Sequence, residues 1–420
     1  MKFIHCADLH LDSPLQGLTR YQGAPVDEMR EATRRAFEQL IALALKEPVE
    51  FVVIAGDLFD GDWPDFNTGL FFVDQMVRLN EAGIKVFMVR GNHDAESRIT
   101  RDLPLPSNVI VLPTMRPHTI LDEGLGVAVH GQSFSHGKVT DDLAFNYPLR
   151  CTGYFNLGIL HTSLTGREGH ANYAPCKVDT LLSKGYDYWA LGHVHRREIV
   201  HCDPWIVFPG NTQGRMIREL GAKGCELVTV SDSQVSTEHR SLDVMRWESL
   251  SVDMAELDNL DDVFERVRRE LGQLLHNAEG RTMVARVVVR GRGKVHAEIT
   301  ARPETVRAQI QALALDETNG QVWVEKVSLK TQAEIDLASL NRRDDPIGEL
   351  VRLIHGIKAG STEDLTSLAA ELVDLRRKLP VALTEGDEAI RLEDPEFLRQ
   401  VLDEVERSLI PRLLGLAGNP

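Results

Sequence analysis

Residues 86–94 read Val-Phe-Met-Val-Arg-Gly-Asn-His-Asp, an apolar run followed by a glycine and three polar residues. The apolar run predicts a buried strand, and Gly91 predicts a tight turn that directs the next side chains beyond the strand's end. Those side chains are Asn92, His93 and Asp94. In open α/β sheets, functional groups commonly lie beyond the carboxyl ends of strands. We therefore place the centre of the functional site here.

Four other stretches repeat this layout, each an apolar run that delivers Asp or His at its end. They are residues 3–10, 51–60, 157–161 and 189–195. Helical spacing over 27–47 and 66–82 separates the first three strands. The resulting strand–helix–strand–helix–strand order predicts a parallel α/β half. Five such strand ends in one chain indicate a single metal-lined floor.

The rest of the chain has a different rhythm. Short predicted strands between 108 and 240 indicate a second sheet packed on the first. Residues 246–330 predict a small α/β unit, which includes a short strand at 295–300. Residues 340–420 are predicted to be helical, with a last helix beginning at Asp394-Pro395. The expected domains are a catalytic domain over 1–243, a small α/β accessory domain over 246–330, and a helical C-terminal region over 340–420.

Composition narrows the class of protein. The chain has 420 residues, of which 43% are hydrophobic and 26% charged, as in globular proteins that carry a large core. It has no apolar run of 18 residues and no leader pattern at Met1, so we expect a cytoplasmic protein that does not contact a membrane. The five cysteines are scattered and form no CxxC pair, which predicts reduced thiols.

The formal net charge is −16. A protein that holds nucleic acid by bulk electrostatics is usually basic, so this charge argues against a simple nonspecific binder. It leaves a metal-dependent nuclease open, because metal ions neutralise substrate phosphates locally.

Seven oxygen- and nitrogen-bearing side chains follow the strand ends. They are Asp8, His10, Asp57, Asn92, His161, His193 and His195. This mixture without thiolates suits Mn²⁺, Fe or Zn²⁺ held for catalysis. Two metals about 3.5–4 Å apart, the arrangement that clamps both oxygens of a phosphoryl displacement, need a shared carboxylate. Asp57, on the middle strand's turn, is the candidate bridge.

The series Asp8-x-His10, Gly56-Asp57-x-x-Asp60, Gly91-Asn92-His93-Asp94, His161 and Gly192-His193-x-His195 resembles the calcineurin-like metallophosphoesterase superfamily over roughly residues 1–240. The resemblance implies an α/β fold: a two-sheet metallophosphoesterase sandwich flanked by helices, here with a small α/β accessory domain and a helical C-terminal tail.

The resemblance also implies roles for individual residues. One metal would take Asp8, His10, Asp57 and His195, and the other would take Asp57, Asn92, His161 and His193. His93 would donate a proton to the leaving oxygen or stabilise the transition state. Asp94 would hold the ring of His93.

Within the superfamily, residues 2–14, 129–134, 160–175 and 208–215 are similar to the SbcD-like DNA repair exonucleases, and most similar to their YhaO-type branch. The resemblance implies hydrolysis of DNA phosphodiester bonds as an exonuclease or endonuclease in DNA repair, with two divalent ions, Mn²⁺ first and Fe or Zn²⁺ as alternatives. It also implies that the C-terminal helices dock onto an SbcC-like coiled-coil ATPase. The accessory domain would help hold DNA.

One position departs from the pattern of those nucleases, which often carry histidine where this chain has Asp60. Asp60 could instead orient a ligand histidine. Arg167 and His170, in a glycine-rich loop, and Arg215 are predicted substrate contacts. Two other functions stay open: a phosphatase or cyclic-nucleotide phosphodiesterase on small substrates, and a non-catalytic subunit whose metal site organises a repair complex.

Two further patterns each have two interpretations. The leucines between 365 and 379 could pack on their own domain or form a docking face for a partner. The basic run of Arg286, Arg290, Arg292 and Lys294 could track phosphates or line a solvated strand edge. Whether the chain forms a homodimer is also left open.

Overall fold

A computed structural model describes residues 1–13, 26–60, 66–96, 104–166, 172–232, 234–334, 337–360, 365, 369–370, 372–378, 390, 392 and 394–414. The chain divides into two compact units. The first unit contains Met1–Ser249, Leu274–Arg286 and Gln321–Glu325, and the second contains Leu250–Gln273, Val287–Gly320 and Lys326–Pro420.

The strands of the described residues are β1 (Lys2–Cys6), β2 (Phe51–Ala55), β3 (Lys85–Val89), β4 (Val109–Val111), β5 (His118–Asp122), β6 (Val127–Gly131), β7 (Phe155–His161), β8 (Tyr188–Gly192), β9 (Glu198–Cys202), β10 (Trp205–Phe208), β11 (Gly224–Ser231), β12 (Gln234–Ser241), β13 (Met245–Asp253), β14 (Thr282–Gly293) and β15 (Val322–Ala333).

The α-helices are α1 (Val26–Lys46), α2 (Asn67–Glu81), α3 (Asn92–Glu96), α4 (Val178–Leu182), α5 (Leu260–His276), α6 (His296–Ala301), α7 (Pro303–Glu317), α8 (Leu337–Asn341), α9 (Pro346–Ala359), α10 (Val373–Lys378) and α11 (Pro395–Leu413). None of the described helices is both long enough and apolar enough to cross a membrane. All five cysteines are free thiols, as predicted.

Two six-stranded sheets build the first unit. The first has the order β12-β11-β1-β2-β3-β4, in which β1 to β4 are parallel and β11 runs antiparallel to β1. The second has the order β5-β6-β7-β8-β10-β9, with β6, β7, β8 and β10 parallel. The predicted parallel half is present, and a second sheet is present as predicted. The prediction that all strands between 108 and 240 belong to the second sheet is wrong, because β4 and β11 lie in the first sheet.

The first sheet is apolar on both faces. Along β1, Phe3 packs with Leu157 and Tyr188 of the second sheet, while its neighbour Ile4 packs with Phe37 of α1. Strands covered on both sides read as continuous apolar runs, which is why the site-bearing strands stand out in the sequence. The predicted two-sheet sandwich with flanking helices is confirmed.

A third sheet has the order β13-β14-β15. Here one prediction is wrong, because residues 296–300 lie in the helix α6, with Val295 just before it, and not in a strand. His296 and Ile299, three residues apart, are both buried on one face of this helix. A segment this short fits either period, so its alternation could not discriminate strand from helix. The edge strands β12 and β13 were not predicted; β12 is largely polar and carries little apolar pattern.

The second unit contains the predicted last helix, which begins at Pro395. Of the predicted leucine stripe, Leu365 is fully buried and packs with Leu398 and Leu402 of α11, and Leu372 packs against the same cluster. These described leucines therefore support packing within their own unit rather than a free docking face. Leu368 and Leu379 lie outside the described residues.

Candidate dinuclear metal centre

All seven predicted ligands lie together. In the first sheet, Asp8, Asp57 and Asn92 follow β1, β2 and β3. In the second sheet, His161 ends β7, and His193 and His195 follow β8. Six of the seven supply the ligand atoms of two groups, within each of which the atoms lie within 4.8 Å of one another: Asp8, His10 and His195, and Asp57, His161 and His193. The seventh, Asn92, has its Oδ1 3.0 Å from Nε2 of His161. The predicted convergence of the five strand ends is therefore present, and these groups could hold metal ions.

Asp57 belongs to the second group and also lies near His10 of the first. Its Oδ2 is 3.3 Å from Nε2 of His161 and 4.0 Å from Nε2 of His10. Its other oxygen, Oδ1, accepts a hydrogen bond from the backbone N–H of His93 at 3.0 Å. The position suits the bridging role predicted for this carboxylate.

The backbone at the ligands is left-handed at several non-glycine residues. The φ angles are 52° at Asp8, 44° at His10, 53° at Asp57 and 100° at His193. Such conformations cost of order 1–3 kcal/mol each and persist where surrounding contacts enforce them. Here the N–H of Asp8 donates to the carbonyl of Gly56 at 3.0 Å, and that of His10 to the carbonyl of Asp57 at 3.1 Å. The two turns thus brace each other and aim the side chains into one site.

Two glycines allow the strand ends to approach. A Cβ on Gly91 would lie 2.2 Å from Oδ1 of Asp57, and one on Gly192 would lie 1.9 Å from the carbonyl oxygen of Ala55. No side chain fits at either distance. The glycines in the motifs are therefore required by close packing.

The donor atoms fit divalent cations. Nδ1 of His161 faces the carbonyl oxygen of Ala55 at 2.9 Å, and this carbonyl can only accept, so Nδ1 carries the hydrogen. Nε2 of His161 then presents a lone pair to Oδ1 of Asn92, 3.0 Å away, and to Asp57. Acceptor atoms that converge in a buried site favour a cation among them.

The pKa of His161 reflects the same convergence. Burial lowers this pKa, but the charge and hydrogen bond of Asp57 outweigh burial and raise it to about 9. A proton is thus the alternative cation at this position. Metal ligation requires the neutral imidazole, so metal and proton compete for Nε2.

His93 borders the first group, and its ring centroid lies 5.1 Å from that of His10. Its Nδ1 is 2.8 Å from Oδ1 of Asp60. Burial lowers the pKa of His93, but the hydrogen bond to Asp60 and the charge of Asp57 outweigh burial and raise it to about 9. The Asp60 carboxylate therefore favours the protonated imidazolium form of His93.

The prediction that Asp94 holds the ring of His93 is wrong, because Asp60 does so. The Asp94 carboxylate accepts hydrogen bonds from the backbone N–H groups of Leu58, Phe59 and Gly91 at 3.2, 3.0 and 3.0 Å. Asp94 thereby joins the turn after β2 to the turn after β3. Asp94 is next to His93 in the sequence, but its carboxylate is directed to backbone N–H groups and not to the His93 ring.

Arg215, a predicted substrate contact, lies in the wall of the site with a side chain only 11% exposed. Its Nη1 is 3.0 Å from Oγ of Ser13 and 3.3 Å from Oδ2 of Asp60. Its Nη2 is 3.4 Å from Oε1 of Glu219. The guanidinium is thus engaged by the protein's own groups. The other two predicted substrate contacts, Arg167 and His170, lie outside the described residues.

Glu219 was missed by sequence reasoning. Its Oε1 is 2.7 Å from Nδ1 of His195. The available signal was an acidic residue in the polar segment between β10 and β11, and such a signal is too common to identify one residue.

The basic run on β14 is largely engaged within the chain. Arg286 donates two hydrogen bonds to Glu325, at 2.9 and 2.8 Å. Arg292 donates to Gln332 at 3.0 Å, and Lys294 pairs with Asp258 at 2.8 Å. These contacts favour a solvated, ion-paired strand edge over a track for phosphates.

Comparisons with known proteins agree with this geometry. The calcineurin-like phosphoesterase family matches residues 1–197, and the middle domain of metallophosphoesterase YhaO matches residues 247–332. The uncharacterized metallophosphoesterase YhaO of Bacillus subtilis is 33% identical over 347 residues, which are 81% of this chain and 84% of that protein.

Two archaeal proteins named DNA double-strand break repair protein Mre11 are more distant relatives. The protein from Methanopyrus kandleri is 24% identical over 405 residues, covering 87% of this chain and 83% of its own length. The protein from Sulfurisphaera tokodaii is 26% identical over 229 residues, covering 54% and 57%.

Proposed function

The chain belongs to the calcineurin-like metallophosphoesterase family, and we propose that it is a two-metal phosphodiesterase that hydrolyses DNA. The observation that carries the proposal is the pair of ligand groups, with Asp57 of the second group also near His10 of the first. We assign one ion to Asp8, His10, Asp57 and His195, and the other to Asp57, Asn92, His161 and His193. Bound there, two divalent ions would activate a water molecule and neutralise phosphate charge. Mn²⁺ is the first candidate, with Fe and Zn²⁺ as alternatives.

His93 is the proposed proton donor to the leaving oxygen. Asp60 holds its Nδ1, so the opposite edge of the ring, with Nε2, is the one turned to a substrate. Its raised pKa keeps the imidazolium populated at neutral pH. Asp94 supports this chemistry indirectly, by holding the turns that carry Asp57 and Asn92.

DNA is the proposed substrate because two similar proteins are named as DNA double-strand break repair proteins. The net charge is −16 and the basic run on β14 is ion-paired, so the surface offers little free positive charge. In this proposal the metals therefore neutralise most of the phosphate charge. We propose exonuclease or endonuclease action at DNA ends, in the cytoplasm, together with an SbcC-like coiled-coil ATPase. In this proposal residues 1–243 are catalytic, 246–330 help hold DNA, and 340–420 contact the ATPase.

The test is digestion of end-labelled duplex and single-stranded DNA with Mn²⁺, with and without the ATPase partner. We expect the wild type to degrade DNA, and we expect Asp57→Ala and His93→Ala to lose this activity. Asp141→Ala, which changes an exposed aspartate outside the site, is the matched control. Chelation should abolish digestion, and added Mn²⁺ should restore it.

A small-molecule phosphoesterase is the second candidate, and the observation that favours it is Asp60 at the place where the related nucleases often have histidine. Turnover of bis-p-nitrophenyl phosphate without degradation of any DNA would support it. A non-catalytic role predicts instead that His93→Ala abolishes all hydrolysis and yet retains full repair activity in cells.

A further inference from the structure

The Glu219 carboxylate is fixed on both oxygens. Glu219 is 6% exposed. Oε1 lies 2.7 Å from Nδ1 of His195. Oε2 accepts hydrogen bonds from Nδ2 of Asn211 at 3.0 Å and from the backbone N–H of Arg215 at 2.7 Å. A carboxylate tethered in this way has little freedom to leave the imidazole.

The main chain of His195 is held by the same segment. Nζ of Lys223, a buried lysine, donates to the carbonyl oxygen of His195 at 2.8 Å. The backbone N–H of Asn211 is 3.4 Å from that oxygen. Residues 211–223 therefore hold His195 at both its ring and its backbone.

Nε2 of His195 faces the first ligand group and is 3.2 Å from Nε2 of His10. Because a carboxylate can only accept, its contact assigns the ring hydrogen of His195 to Nδ1. Nε2 is then the basic nitrogen, directed at the position that the ion would occupy. The Glu219 contact thus determines both the tautomer and the direction of this ligand.

His161, in the second group, is oriented differently. Its Nδ1 faces the carbonyl of Ala55 at 2.9 Å, a neutral acceptor. An anionic acceptor makes the stronger hydrogen bond and raises the basicity of the opposite nitrogen more than a neutral one does. The two groups therefore differ in one respect: Nδ1 of His195 in the first contacts a charged carboxylate, whereas Nδ1 of His161 in the second contacts a neutral carbonyl.

We propose that Glu219 is a positioning residue that orients His195 and strengthens binding of the ion at Asp8, His10 and His195, with little effect on the ion at Asn92, His161 and His193. The inference rests on the proposed two-metal site. It predicts that one substitution weakens binding of one ion and leaves the affinity for the other unchanged, since Glu219 contacts a ligand of only one group.

The experiment is titration of the metal-free full-length protein with Mn²⁺, followed by calorimetry and by electron paramagnetic resonance. Glu219→Gln retains the size of the side chain and removes the charge. We expect the wild type to bind two ions and to give the spectrum of a spin-coupled pair. We expect Glu219→Gln to bind one ion with nearly wild-type affinity and the other about 10- to 100-fold more weakly, the usual range for such partners. At one equivalent it should give the six-line spectrum of isolated Mn²⁺.

Glu226→Gln is the matched control. Glu226 is also a buried glutamate, but its partners are Arg197, Thr237 and His239, none of which is a proposed ligand. We expect this variant to bind two ions as the wild type does. Circular dichroism of both metal-free variants shows whether they are folded. If Glu219→Gln is not folded, Glu219→Asp, which keeps the charge on a shorter stem, should bind both ions with the coupled spectrum.

The outcomes separate the two proposals. Two ions bound by Glu219→Gln with unchanged affinities would overturn the role of Glu219 and leave the proposed function intact. Equal weakening of both ions would also overturn it, because the effect would then not pass through His195. A wild type that binds no pair of ions would overturn the proposed function itself, and this inference with it.

Discussion

Nδ1 of His93 lies 2.8 Å from Oδ1 of Asp60, and this contact connects the turn after β3 to the turn after β2. The same carboxylate accepts from Oγ of Ser13 and from Arg215. The Asp60 carboxylate is therefore held in place by contacts other than the one with His93. A histidine oriented by a fixed carboxylate presents one edge of its ring to a substrate.

We expect Asp60→Asn to lower the turnover rate by at least about 10-fold, because His93 loses both its orientation and the charge that keeps it protonated. The pH dependence should also change. In the wild type the acid form of His93 is lost as pH rises through about 9. Without the Asp60 charge, the pKa moves down towards its ordinary value, so the alkaline limb should begin at a lower pH.

The measurement is a pH–rate profile on bis-p-nitrophenyl phosphate with Mn²⁺. Asp141→Asn, at an exposed position, is the control and should retain the wild-type profile. An alkaline limb at the same pH in Asp60→Asn and wild type would show that Asp60 does not govern the proton on His93.

Gly91→Ala should abolish Mn²⁺ binding at the Asp57 carboxylate. The added Cβ would meet Oδ1 of Asp57 at 2.2 Å, a distance that forces the carboxylate or the turn to move. Calorimetric titration with Mn²⁺ measures the loss. Gly124→Ala, whose Cβ would find only Asp122 at an ordinary 3.5 Å, should bind as the wild type does. Equal affinity in both variants would contradict the close packing described here.

His5 should make the fold sensitive to acid. Its ring is fully buried between the hydroxyl of Tyr188 and the carbonyl of Leu191, each 3.1 Å away. Burial lowers its pKa to about 4 from the ordinary 6.5. The unfolded chain therefore binds a proton at a higher pH than the folded chain does. Stability from this group is complete above pH 6.5 and declines by about 3 kcal/mol as pH falls to 4.

Denaturant unfolding at several pH values between 7 and 4 tests this expectation. His5→Gln is expected to be less stable at pH 7. Its free energy of unfolding should decline less towards pH 4 than that of the wild type, because one titrating group has been removed. His118→Gln, at an exposed position, should follow the wild type. The assignment fails if the decline in His5→Gln is as steep as in the wild type.

In the second unit, Leu398→Ala should loosen α11. Leu398 is 2% exposed and packs with Leu365 and Leu402. Loss of a buried leucine costs about 2–5 kcal/mol. Hydrogen exchange should accelerate in α11, while Mn²⁺ binding stays at the wild-type level. Leu413→Ala, at a 49% exposed position on the same helix, should leave exchange unchanged. Unchanged exchange in Leu398→Ala would mean that this leucine contributes no packing energy.

Much of the site follows from local pattern. A parallel strand buried on both faces appears as an apolar run, and the residue after it must leave the sheet at its carboxyl end. This pattern alone predicts that Asp8, Asp57 and Asn92 lie at one edge of the sheet. The short segment at 295–300 shows where the logic stops, because six residues fit both the helical and the extended period.

The sequence by itself determined which residues meet at the candidate metal centre, because the strand periodicity and the motif order dictate where each chain segment ends. Only the tertiary structure decided how those residues are supported. Asp60 rather than Asp94 holds His93, and Glu219 holds His195 from a distant segment. Such partners are chosen by side-chain direction and by contacts between turns far apart in the chain, and neither quantity is encoded in local spacing.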